Sequence, residues 1–350
     1  MLYAARGSTW VKLMADVDTE AWVRAHAEKY FTFATEPVPV HTVWTIVGGT
    51  EFAPSDRDYV RFETSLPSGE KCRYLLSATN RILVVDLPTG PWRWLYVLRA
   101  LRHVFRWELQ AEGALFLHGV ALTTDTHGIC ILGRSQSGKS ALSFALARRG
   151  GWNWVTQDDI SIIRRNDHWE IIGWPGSLRL RPSAFDVFPD LRAHLPLLTH
   201  PANALEASLP ETESRVRLFP TEVSDLTGAK IQAQAKLSAI LFLDPSAPAG
   251  AITRMSRSAL RSALLSAWDV LPERRAGVAA LDARLGNSLW RDLVFNPALF
   301  DIYGVPDISS LEQRLEALVI EINGWEIDRT ALLAPETTAQ SVADLVAKKS

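Results

Sequence analysis

Hydrophobic positions change their period along this chain. From Phe31 to Pro88 the apolar residues come in short runs rich in β-branched and aromatic side chains, namely His41 to Val47, Tyr59 to Thr64 and Arg73 to Leu76. Gly, Pro, Asp and Asn separate the runs, which predicts a small module of mostly antiparallel strands. Pro91 then stands where a helix can begin. Leu95, Leu98, Leu101, Phe105 and Leu109 follow at helical spacing, among Arg93, Arg99, Arg102 and Arg106. The spacing predicts an amphipathic helix over Trp92 to Leu109 with a basic, solvated face.

Beyond that helix, strand-like and helix-like segments alternate. Leu115 to Leu122 and Gly128 to Leu132 read as apolar strands, Lys139 to Arg149 as a helix and Trp152 to Val155 as another strand. Ile160 to Arg164 and Trp169 to Ile172 flank Asn166-Asp167, a hairpin signal. Pro189 to Pro220 is broken by prolines and reads as a long irregular segment, the kind that often carries function. Leu237 to Leu243 is an apolar strand, and Ser258 to Trp268, Ser310 to Ile322 and Ala339 to Lys348 read as helices. The expected organisation is an α+β module over residues 1–110 followed by an α/β domain over 111–350.

Composition narrows the classes. A chain of 350 residues suits two domains, and a formal charge of −2 with both signs interspersed gives no overall reason to bind nucleic acid or an anionic membrane. Cys72 and Cys130 lie far apart in apolar runs, so they make neither a disulfide framework nor a metal pair. Met1 to Glu20 has no signal-peptide core, and no stretch reaches the roughly 18 apolar residues of a membrane span. A cytoplasmic protein is expected.

The chemistry concentrates in Gly133-Arg134-Ser135-Gln136-Ser137-Gly138-Lys139-Ser140, which satisfies G-x-x-x-x-G-K-[ST], the Walker A pattern. A strand-like run precedes it and a helix follows. In that setting the loop N–H groups converge on phosphate oxygens, and the positive end of the helix adds to their field. Lys139 is then expected at the β- and γ-phosphates and the Ser140 hydroxyl at Mg²⁺, with ATP as the nucleotide.

Two flanking features discriminate among phosphate-loop proteins. Phe116-Leu117-His118-Gly119-Val120 lies upstream, and Ala147-Arg148-Arg149-Gly150 and Asp158-Asp159 lie downstream. Together with the loop they resemble the catalytic domain of the HPr kinase/phosphorylase family and its shorter relatives, over roughly Leu115 to Pro182. The resemblance implies a phosphate-loop α/β kinase domain related to phosphoenolpyruvate carboxykinase, and ATP-dependent phosphorylation of a protein serine. Relatives in ribosomal-peptide maturation phosphorylate a lasso-precursor serine. Carried over by position, Asp158 is the catalytic carboxylate, Asp159 the metal-associated neighbour and His118 the active-site histidine. The same precedent suggests a homo-oligomer.

Elementary chemistry asks for the same parts, because a serine hydroxyl loses its proton as it attacks phosphorus and a nearby carboxylate can accept it. The expectation places Asp158 at the end of a strand beside the loop. Arg179 and Arg181, alternating on a strand, and Arg215 and Arg217 in the long segment are candidates to neutralise transferring phosphate. Asp244, closing an apolar strand, is a rival for the metal.

Two departures stand out. Gln136 occupies a position where the family usually has glycine, and Gly173 to Pro182 replaces the Gly-rich second signature of HPr kinases. The expected acceptor is therefore a peptide or small protein other than HPr. A kinase for a small hydroxylated metabolite and a non-catalytic, ATP-gated binding protein stay open as alternatives.

Overall fold

In the computed structural model the chain divides into two units, Met1–Gly113 and a second that runs from Ala114 and includes Ile308–Ser350. The residues described are 1–36, 42–50, 59–66, 71–134, 137–201, 203, 215–244, 252–267, 308–328 and 334–347.

The first unit is a sheet with two helices. Its strands are β1 (Leu2–Arg6), β2 (Thr9–Met14), β3 (Thr32–Ala34), β4 (Thr42–Gly48), β5 (Val60–Ser65), β6 (Lys71–Ser77) and β7 (Ile82–Asp86). They lie in the order β3-β1-β2-β4-β7-β6-β5. The pairings β1–β2, β1–β3, β5–β6 and β6–β7 are antiparallel, whereas β2–β4 and β4–β7 are parallel. Helix α1 (Val17–Ala27) starts at Asp16, whose carboxylate accepts from the Thr19 backbone N–H at 2.8 Å and the Thr19 hydroxyl at 2.8 Å.

Helix α2 (Pro91–Ala111) forms where the periodicity places it, but it is not the basic amphipathic helix expected. No residue from Trp92 to Gln110 is exposed, and Arg93 and Arg106 are buried. The Arg93 guanidinium is met inside the fold by Asp16 Oδ2 at 2.7 Å and the Leu87 carbonyl at 2.6 Å. An arginine with long methylenes and a fixed partner packs as a core residue, which a one-dimensional charge pattern does not reveal.

The second unit holds β8 (Leu115–Thr123), β9 (Gly128–Gly133), β10 (Asn153–Arg165), β11 (His168–Ile172), β12 (Leu178–Leu180), β13 (Val216–Leu218), β14 (Gln234–Leu243), β15 (Ile252–Arg254) and β16 (Asn323–Ile327). The main sheet runs β11-β10-β8-β9-β14-β16-β15, and an extra pairing of β11 with β14 closes β14, β9, β8, β10 and β11 into a ring. β9 and β16 lie parallel to β14, while β8 and β10 pair antiparallel. Helices α3 (Lys139–Arg149), α4 (Ala184–Val187), α5 (Leu191–His194), α6 (Pro220–Thr227), α7 (Arg257–Ala267), α8 (Ile308–Glu321) and α9 (Pro335–Ala347) complete this mixed α/β unit. Its core joins Val120 and Leu122 of β8, Ile129 and Ile131 of β9 and Leu241 of β14 to Leu142 and Leu146 of α3. Among the described residues no helix is long and apolar enough to cross a membrane.

One element differs from its sequence expectation in a way that matters for the site. Trp152 to Val155 and Ile160 to Arg164 belong to the single strand β10, so Asp158 sits in mid-strand rather than at a strand end. The pairing with β8 slips between Trp154 and Thr156, and Asp158 adopts φ +66°. The Thr156 hydroxyl spans this irregularity by donating to the Asp159 carbonyl at 2.8 Å. The turn after β10 is the tight hairpin expected, with Arg165 opposite His168 and Asn166 at φ +47°. The segment from Pro189 to Pro220 includes α5, a 3₁₀ turn over Leu195–Leu197 and strand β13 paired to β12.

Candidate active site

The site grows from the β9–α3 connection. Gly128–Gly133 is an apolar strand between β8 and β14, and it delivers the chain to the first turn of α3. Gly138 ends the loop in the left-handed region at φ +96°, which glycine adopts without a Cβ penalty. Among the described residues no side chain caps α3, whose first turn leaves its N–H groups available to an anion. Ser135 and Gln136 lie outside the described residues.

Lys139 is buried, 7% exposed, and its Nζ donates to the carbonyls of Gly133 and Arg134, each at 2.8 Å. Burial holds its pKa below the ordinary lysine value, and the Asp158 carboxylate partly offsets that. The ammonium is thus fixed under the loop it serves.

β8 brings His118 alongside. Gly119 follows it because a Cβ there would lie 2.5 Å from the Ile131 carbonyl of β9 and 2.7 Å from Leu132 Cδ2. The His118 side chain reaches water but is crowded by protein. That desolvation lowers its pKa, with Asp158 pulling the other way and Lys139 adding to the fall.

These groups meet in a cavity of about 410 Å³, a size typical of small-molecule sites. Ser137, Gly138, Lys139 and Ser140 form one wall, and His118, Gln157 and Asp158 another. Arg179, Arg181 and Arg215 also line it, so among the described residues Lys139 and three arginines face one lining carboxylate. Arg179 Nε stands 3.3 Å from Asp158 Oδ2. Gln157 Nε2 donates to Asp158 Oδ1 at 2.9 Å and, more weakly, to Ser140 Oγ at 3.4 Å. Ser137 Oγ and Gln157 Oε1 are buried without a hydrogen-bond partner among the described residues. The unsatisfied Ser137 hydroxyl, which can donate, beside an uncapped helix terminus and clustered cations suits a phosphorylated ligand.

Not every candidate from the sequence reaches the cavity. Gly133 and Arg134 contribute carbonyls to Lys139 but do not line it, and Arg217, opposite Arg179 in the β12–β13 pair, is not part of its wall. Asp159 is buried and does not line the cavity, and neither does Asp244, which follows Leu243, the β14 partner of Gly133 at the start of the loop. Among the described residues the lining carboxylate near Ser140 is Asp158, and Asp159 lies opposite His118 in the β8–β10 pairing. Among the described residues no group of three or more His, Cys, Asp or Glu side chains is placed to hold a metal ion. Gln157, to which sequence reasoning gave no role, is the residue that links loop and carboxylate. Its signal in the sequence is its place directly before the aspartate pair in Gln157-Asp158-Asp159.

No family model matches this chain, and no curated protein does. Among solved structures, the chain is similar to the Hpr(Ser) kinase/phosphatase from Coxiella burnetii, with 18% identity and a TM-score of 0.25 over 40% of this chain and 70% of that one. A superposition that loose assigns neither a fold nor an activity.

Proposed function

We propose that this chain transfers the γ-phosphate of ATP to a hydroxyl group, with a serine of a peptide or small protein as the acceptor. The observation that carries the reading is that Lys139 and Ser140, at the end of the phosphate loop, share one cavity with the carboxylate of Asp158. The resemblance of the segments around His118, Gly133 to Ser140 and Asp158-Asp159 to the HPr kinase/phosphorylase family supports the same reading.

Each group has a physical role. The N–H groups at the start of α3 and the Lys139 ammonium bind phosphate oxygens, and Arg179, Arg181 and Arg215 offset charge that spreads over the phosphoryl oxygens during transfer. Asp158 takes the proton of the attacking hydroxyl. His118, its pKa lowered by desolvation, stays a neutral hydrogen-bonding group at the cavity mouth. The Ser140 hydroxyl would hold Mg²⁺ with a carboxylate of Asp159 or Asp244, since Asp158 is taken as the base. The ion supplies neutralisation of phosphate charge.

The test is to incubate the protein with Mg-ATP and serine-containing peptides and weigh the products. A phosphate added to a peptide, and lost with Lys139→Ala, supports the proposal. Transfer at the parental rate by Asp158→Asn removes Asp158 from the role of base.

A further inference from the structure

Gln157 is 2% exposed and lies on the wall between the phosphate loop and Asp158. A carboxylate can only accept hydrogen bonds, so the amide atom 2.9 Å from Asp158 Oδ1 must be the NH₂ group, which fixes the orientation of the side chain. The same NH₂ reaches Ser140 Oγ, the first-turn hydroxyl of α3. The other end of the amide, Oε1, is then buried without a partner among the described residues. A leucine of similar size would fill that space without burying an unsatisfied carbonyl, so packing alone gives no reason for glutamine here.

The geometry points to Gln157 as a positioning residue whose amide ties the Asp158 carboxylate to the Ser140 hydroxyl, keeping the proton acceptor in register with the phosphate loop. This inference rests on the cavity being a phosphotransfer site. Asp158 sits at an irregular, left-handed position of β10 and is partly open to water, so its carboxylate needs a second restraint besides Arg179. Gln157 supplies one from within the strand and extends it to the loop, where the phosphate that must meet the acceptor is held.

The experiment compares the full chain with Gln157→Leu, Asp158→Asn and the double variant, measuring melting temperature, Mg-ATP affinity by calorimetry and ATP consumption with and without serine peptides. A positioning role predicts that Gln157→Leu melts no lower than the parent and binds Mg-ATP within about twofold, yet turns over about 100-fold more slowly, the cost of a misplaced reacting group. It also predicts that the double variant is no slower than Asp158→Asn, since Gln157 acts through that carboxylate. Gln157→Leu turnover within twofold of the parent, additive losses in the double variant, or a loss of rate that tracks a fall in melting temperature would each overturn the positioning role while leaving phosphotransfer in place. A parent chain that fails to bind Mg-ATP, or binds without consuming it, overturns the reading of the cavity itself and the positioning role with it.

Discussion

Arg179 Nε lies 3.3 Å from Asp158 Oδ2, so the carboxylate assigned as base is held by one of the cations assigned to the phosphate. Arg179 is about half exposed, and a pair that open contributes about 0–1 kcal/mol to stability. Arg179→Ala should therefore melt close to the parent. If Arg179 also bears on the transferring group, the same variant should lose roughly 10²–10³-fold in turnover, the scale of removing one preorganised donor. Steady-state kinetics beside a thermal melt checks this, and unchanged turnover would restrict Arg179 to the ion pair.

His118 gives the pH prediction. Desolvation holds its folded pKa below the ordinary value of 6.5, and Asp158 opposes the shift. Because the unfolded chain then binds the proton more readily, the histidine's contribution to stability is complete above pH 6.5. It is lost as the pH falls through the folded value. Titration of the ring by NMR should give a midpoint below 6.5, and in Asp158→Asn the midpoint should fall further as the opposing charge is removed. An upward move in that variant would place the dominant charge elsewhere.

Gly119 sits opposite Asp158 in the β8–β10 pairing, with the Ile131 carbonyl 2.5 Å from where a Cβ would be. The nearest atom is backbone, so relief requires β8 and β9 to part. Gly119→Ala should cost about 1–3 kcal/mol in denaturant unfolding, as overpacking does. The same parting displaces His118, so nucleotide-dependent turnover should fall beyond what the stability loss explains.

These cases also indicate what the sequence could reveal. The loop from Gly133 to Ser140 is legible because its geometry is local: an apolar strand, a glycine turn and a helix follow one another within about twenty residues. The continuity of β10 is not, because Gln157-Asp158-Asp159 interrupts the apolar pattern and imitates a turn. A strand can carry that break only if something bridges it, here the Thr156 hydroxyl to the Asp159 carbonyl. The burial of Arg93 is equally hidden, since its partner Asp16 is 77 residues away. Arg179, Arg181 and Arg215 could be named in advance, but only the fold brings them to the cavity that holds Asp158.

The Asp16–Arg93 contact can be separated from the helix cap that shares its carboxylate. Burial alone would raise the Asp16 carboxyl. Hydrogen bonds from Thr19 and the Arg93 guanidinium outweigh it and hold the pKa below the ordinary value. That contribution is present above about pH 4 and is lost as the pH falls through the folded value. Asp16→Ala removes both the cap and the ion pair and should cost about 2 kcal/mol, the cap giving about 1 and the partly exposed pair the rest. Asp16→Asn keeps the capping oxygen and should cost about half as much. In denaturant unfolding, no loss in Asp16→Asn would show that the charge on Asp16 carries nothing, and equal losses in the two variants would show that the cap carries nothing.

Asp158 itself distinguishes backbone from side chain. At φ +66° an L-residue meets a steric penalty of about 1–2 kcal/mol that glycine avoids, and aspartate tolerates the region better than alanine because its short polar side chain bonds locally. Asp158→Ala and Asp158→Gly both delete the carboxylate, so both should abolish base catalysis to the same degree. They should differ in stability, with the glycine variant about 1 kcal/mol above the alanine variant. The Thr156 hydroxyl keeps the strand in this shape in both, so the difference reports on φ at residue 158 alone. If the two variants unfold at the same denaturant concentration, the left-handed conformation is not maintained once the carboxylate is gone. The Gln157 and Arg179 contacts would then be what hold it there, and the irregularity in β10 would be a consequence of the site, not its foundation.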